Sequence, residues 1–173
     1  MQKGTTTAFL DTKPHYELLD GLRGVAALMV IWYHIFEGFA TSPMDQRFNH
    51  GYLAVDFFFI LSGFVIGYAY DDRWKTMKTK DFFKRRLIRL HPMVVLGAVL
   101  GSITFCIQGC EKWDGSQVSI SMVMLAMLMG IFLIPVAPGA GPEVRGNGEM
   151  YPLNGPSWSL FFEYIGNILY ALF

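Results

Sequence analysis

The twenty residues from Gly51 to Tyr70, "GYLAVDFFFILSGFVIGYAY", carry a single charged side chain, Asp56. Coiled as a helix at 1.5 Å per residue, such a stretch is about 30 Å long, the thickness of the hydrocarbon core of a bilayer. Four further stretches are similarly apolar, at about 21–40, 92–109, 118–137 and 157–173, in a chain of 173 residues that is 53% hydrophobic and 16% charged. This composition argues against one ordinary soluble domain. The sequence predicts an all-α fold, a polytopic transmembrane helix bundle with about five spans embedded in a lipid bilayer. A polar N-terminus covers 1–16 and the membrane domain 17–173. No cleavable signal pattern precedes the first span.

Charge sets the expected orientation. The formal net charge is zero, yet eight of the 14 Lys and Arg residues lie between Arg73 and Arg89. Apolar spans flank this cluster on both sides, so it is no nucleic-acid patch. Under the positive-inside rule it marks a cytoplasmic loop, which places the N-terminus in the cytoplasm and the 41–50 loop outside the cell membrane. The end of the cluster, "TKDFFKRR", reads as an amphipathic helix on the membrane surface, with the third span starting at Pro92 as a first-turn residue. The Gly- and Pro-rich segment 138–156 reads as a loop. It sets Arg145 against Glu143 and Glu149, so charge does not fix its side and a re-entrant path stays open. The chain stops inside the fifth apolar segment, which reads as a fragment of a longer protein. Cys106 and Cys110, four apart, read as small apolar filler rather than a metal pair.

Ionisable residues at membrane depth are expensive and face a bundle interior or a wet cavity. The first span holds Arg23, His34 and Glu37. Eleven residues at about 100° each bring Arg23 and His34 within roughly 20° of one face, with His34 about 16 Å further along the axis. In the second span Asp56 shares a face with Gly63 and Gly67, a small-residue packing stripe, so it points at other helices. At a height close to that of Glu37 it is placed to orient and polarise His34. Ser159, Glu163 and Asn167 recur every four residues as one polar stripe in the fifth segment.

Arg86 and Arg89, three apart, are neighbours on one helical face, and Arg85 joins Arg89 at a spacing of four. They lie at the membrane level expected for Arg23. Guanidinium groups suit bidentate phosphate binding. A phosphate-bearing donor held there needs a flexible arm matching the rise from Arg23 to His34, and coenzyme A has one.

Four blocks, in order, carry a resemblance. "LDGLRGVAALMVIWYH" resembles the opening of the acyltransferase family 3 membrane proteins, with their Arg-x10-His signature at Arg23 and His34. "GYLAVDFFFILSGFVI" is similar to that family's second block, "FFKRRLIRLHP" to its Arg-x-x-Arg motif at Arg86 and Arg89, and "WSLFFEY" to its Trp-Ser-Leu block with Glu163. The blocks cover about 17–170. The resemblance implies about ten helices in the whole protein and transfer of an acyl group, often acetyl, from cytoplasmic acyl-CoA. It implies as acceptor a carbohydrate or another hydroxyl compound outside the cytoplasm.

The function expected from the sequence is that of an integral membrane O-acyltransferase. His34 would act at the thioester as general base or acyl carrier, with Asp56, Glu37 and Glu163 as the other catalytic candidates. Arg85, Arg86, Arg89 and Arg23 would bind the donor. No metal and no permanently bound cofactor is expected; acyl-CoA is a substrate. The rival readings are a proton-coupled transporter half, in which His34, Asp56 and Glu163 relay protons, and a non-catalytic fragment.

Overall fold

The computed structural model describes residues 16–37, 39, 45–46, 50–139, 141–146 and 148–173. Of the described residues, 67% are helical and none lies in a strand. Five helices follow in order: α1 Glu17–Glu37, α2 Leu53–Tyr70, α3 Thr79–Ile107, α4 Ile120–Ile131 and α5 Ser157–Leu172. A 3₁₀ turn, Asp71–Arg73, extends α2. Glu17–Glu37, Leu53–Arg73 and Thr79–Ile107 are each long and apolar enough to cross a membrane. The all-α membrane bundle expected from the sequence is therefore the fold observed. The chain divides into two compact units, Met1–Trp74 and Lys75–Phe173.

In the first unit α1 packs on α2, with Ala26 of α1 and Ala54, Leu61 and Ile66 of α2 buried. Small side chains at the contact let two such helices approach closely. Beyond α1, Gln46 is buried and donates its Nε2–H to the carbonyl of Tyr33 at 2.9 Å. Near it Gly51 lies so close to Tyr33 that a Cβ there would overlap the tyrosine's own.

The second unit is organised by α3, which differs from expectation in one respect. The basic segment and the third span form one continuous helix of 29 residues, with Pro92 inside it rather than in its first turn. Proline has no N–H, so the carbonyl of Ile88 loses its backbone partner. The helix runs on because both sides of Pro92 are packed: Phe82, Arg86, Val94, Ala98, Ser102 and Phe105 form one buried stripe.

α5 runs antiparallel along the basic half of that stripe. Tyr170 meets Phe82 with ring centroids 5.7 Å apart, Glu163 and Asn167 meet Arg86, and Tyr164 sets its ring edge-to-face with His91 at 6.5 Å. Ahead of α5, the Asn154 side chain seats against Gly97 of α3 and the Leu153 carbonyl against Gly101; a Cβ at either glycine would collide with them.

α4 covers the other half of α3. Ser119 caps it by accepting the Met122 N–H at 3.4 Å. The span expected over 118–137 is a helix of only 12 residues, about 18 Å long and short of a ~30 Å hydrocarbon core. Leu133 turns left-handed at φ 51°, and Pro135 removes a donor where the helix would continue. Leu133 then packs with Val94 and Tyr151, and the Tyr151 hydroxyl donates to the Leu133 carbonyl at 2.9 Å. From there the chain returns to the far end of α3. Arg145 lays its guanidinium 5.4 Å over the Phe105 ring, and its carbonyl accepts the Trp113 N–H at 3.1 Å. Phe105, Cys110, Val118, Val123, Ala126, Val144 and Leu153 close this core. Cys110 is buried filler, as its apolar surroundings suggest, while Cys106 is exposed.

Candidate active site

Within the first unit, α1 carries both members of the Arg-x10-His pair, so their separation follows from helix geometry alone. Arg23 is tethered from one turn earlier, its NH1 donating to Asp20 Oδ1 at 2.9 Å. His34 meets Glu37, with Nδ1 and Oε2 2.8 Å apart. These two residues are three apart on an α-helix, the spacing at which side chains are neighbours. The carboxylate on His34 is thus that of Glu37. Asp56, expected to orient the imidazole, is exposed in the first turn of α2, and its carboxylate makes no hydrogen bond among the described residues. A carboxylate on Nδ1 favours the tautomer protonated at that nitrogen and leaves the Nε2 lone pair available to accept a proton. One residue back, the Gln46 amide holds the Tyr33 carbonyl and ties the last turns of α1 to the segment that follows. Nothing in the local sequence singles out Gln46.

In the second unit the three arginines of the basic segment separate. Arg85 and Arg89 are exposed on α3. Arg86 is 3% exposed and held from α5. Its Nε donates to Asn167 Oδ1 and its NH2 to Glu163 Oε1, both at 2.6 Å. Asn167, with no exposed surface, passes its own Nδ2–H to the Glu163 carbonyl at 2.7 Å. Two expected site residues with different expected roles, Arg86 for phosphate and Glu163 for catalysis, are partners of each other. Asn167 completes the group. Its place in the polar stripe of α5 was visible in the sequence, but its partner 81 positions away was not. The Tyr164 hydroxyl is buried near this cluster and has no hydrogen-bond partner among the described residues.

A sequence profile described as an acyltransferase domain matches residues 16–173. The chain belongs to this acyltransferase family. It is therefore a transferase, and its apolar helices make it a membrane one. "Protein 2 in picA locus" of Rhizobium radiobacter is 36% identical over 165 residues, covering 89% of this chain and 80% of that protein. A Staphylococcus aureus protein named as an O-acetyltransferase is 39% identical over 95 residues, 52% of this chain. Acyltransferase MdmB of Streptomyces mycarofaciens is 30% identical over 166 residues, 89% of this chain. The matched regions are 14% of the Staphylococcus protein and 38% of the Streptomyces one. No solved structure matches the acyltransferase chain.

Proposed function

We propose that the protein transfers an acyl group, acetyl by first preference, from cytoplasmic acyl-CoA to a hydroxyl of a carbohydrate or similar acceptor on the opposite side of the cell membrane. The observation that carries the reading is the His34–Glu37 pair, 2.8 Å apart on the helix that also holds Arg23. A histidine whose Nδ1 is engaged by a carboxylate is the arrangement a general base needs. In this mechanism Nε2 takes the proton of the acceptor hydroxyl as its oxygen attacks the thioester carbonyl. The carbon–sulfur bond breaks, the coenzyme A thiolate leaves, and the imidazolium returns the proton to that sulfur. Glu37 holds the ring in its tautomer and stabilises the transient imidazolium. General-base help of this kind is worth about 10²–10⁴-fold. The names of the Staphylococcus and Streptomyces relatives agree with acyl transfer, and the first of them with oxygen as acceptor atom.

On this reading the basic end of α3 lies in the cytoplasm, as the positive-inside rule requires, and Arg85 and Arg89 receive the donor's phosphates. The rise of about 16 Å from Arg23 to His34 matches a donor that enters at one membrane face and reacts deep within it.

The test uses the protein expressed from its natural reading frame, purified in lipid nanodiscs and supplied with radiolabelled acetyl-CoA. Label should move to a hydroxyl acceptor, and His34→Ala should lose at least nine-tenths of turnover, a barrier increase of about 1.4 kcal/mol or more. Glu37→Gln should lower kcat while leaving donor KM in place. A His34→Ala variant that keeps more than a tenth of wild-type turnover removes the catalytic role. Proton-driven uptake with no dependence on acyl-CoA would replace the proposal with transport.

A further inference from the structure

Arg86, Asn167 and Glu163 form a closed polar group at the seam of α3 and α5. The guanidinium donates to one partner through Nε and to the other through NH2, and Asn167 is itself tied to the Glu163 carbonyl. With Arg86 only 3% exposed, a phosphate could reach it only by opening this seam. The neighbours differ: Arg85 and Arg89 are exposed. At about 100° per residue they lie within roughly 40° of one another, on a face turned roughly 60–100° from Arg86. Whatever fixes the rotation of Arg86 fixes the direction of that face.

The basic end of α3 needs such a fixing point. Pro92 lies one turn beyond Arg89, and the helix there lacks the bond that its N–H would have made to Ile88. A helix that has lost a rung at this point bends or swivels more readily than an intact one. The tie from α5 falls just on the basic side of the gap.

We propose that Asn167 and Glu163 are positioning residues for the phosphate end of the donor site: through Arg86 they set the rotation of the basic end of α3 and so aim Arg85 and Arg89. This deepens the acyl-CoA reading above and rests on it. Glu163 then takes no part in proton transfer, and Arg86 touches no phosphate.

The experiment is steady-state kinetics of the full protein in nanodiscs, with acetyl-CoA and acceptor varied separately. Asn167→Ala should raise donor KM by tenfold or more, equivalent to about 1.4 kcal/mol. Its acceptor KM and its kcat at saturating donor should stay within about twofold of wild type. Asn167→Asp keeps an acceptor for Nε and should hold donor KM within about threefold of wild type. Glu163→Gln, isosteric and least at risk of misfolding, should also raise donor KM and spare kcat; it decides the matter if Asn167→Ala does not accumulate. Collapse of kcat in Glu163→Gln with donor KM unmoved would put Glu163 in the chemistry and overturn the proposal. So would an unchanged donor KM in Asn167→Ala, or a fall of kcat, both KM values and thermal stability together, the pattern of a purely structural tie. A wild-type protein with no acyl-CoA-dependent turnover would sink the functional reading itself, a result distinguishable from either.

Discussion

The seating of 153–154 against α3 can be tested at one atom. A Cβ on Gly101 would run into the carbonyl oxygen of Leu153, a backbone group that no rotamer change can move aside. Gly101→Ala brings two opposed effects. In a helix interior alanine is favoured over glycine by about 1 kcal/mol. Against this, overpacking costs about 1–3 kcal/mol where neighbours yield only partly. If the segment lifts instead, Leu153 and Tyr151, both nearly fully buried, lose contacts worth about 1.5–3 kcal/mol for each large side chain. The net expectation is a loss of about 1–3 kcal/mol, and for a chain of this size a melting point lower by roughly 2–10 °C. Gly166→Ala on α5 is the matched control, since nothing lies within 4 Å of a Cβ there; it should gain up to about 1 kcal/mol from propensity alone. The assay is thermal unfolding of purified protein in detergent, all three forms side by side. A Gly101→Ala protein as stable as Gly166→Ala would show that the segment does not rest on α3.

Two further outcomes follow from the same geometry. Cysteines introduced at Asp45, Glu111 and Pro138, all exposed, should react with impermeant thiol reagents in sealed cells, whereas those at Lys78 and Leu172 should react only once the membrane is opened; a Pro138 site that behaves like Lys78 would mean that α4 crosses. Replacing Arg85 and Arg89 together with Lys keeps the positive-inside charge but loses the paired planar contacts of guanidinium with phosphate, so donor KM should rise tenfold or more with insertion unchanged, and a wild-type value would leave these residues as topology signals alone.

The parts of the fold that depend on local sequence were legible, and those that depend on a distant partner were not. Arg23 and His34 sit on one helix, so spacing alone gave their separation. The same holds for Glu37, whose three-residue offset puts it on His34; the choice between it and Asp56 was a matter of tertiary placement. The polar stripe of α5 could be read as facing something polar, but not as facing Arg86, because Glu163 and its partner are 77 positions apart. Pro92 misled for a related reason. Proline disfavours a helix interior by local energetics, yet α3 continues through it because side chains on both sides are buried against α4, α5 and the segment between them. Gln46 carried no local signal at all. Its role exists only because the chain after α1 folds back on the Tyr33 carbonyl.

α4 has the largest consequence for how the chain meets the membrane. The apolar run over 118–137 is long enough for a crossing, but residues 132–137 lie outside the helix and α4 ends where Leu133 meets Val94 and Tyr151. Because Arg145 then returns to Phe105 and Trp113, both ends of this excursion lie at the far end of α3 from its arginines. A helix that enters and an extended return can sit at membrane depth only where protein covers the unpaired backbone. Pro142, Val144, Tyr151, Pro152 and Leu153 are buried in just this stretch. The descent that follows, non-helical through 151–156 and helical through α5, brings the chain back to the level of Phe82. With the basic end of α3 in the cytoplasm, as the functional proposal has it, that descent would run from outside to inside, through turns over 151–156 and then a helical half. Glu163 and Asn167 lie on its helical half because only there does it run beside Arg86.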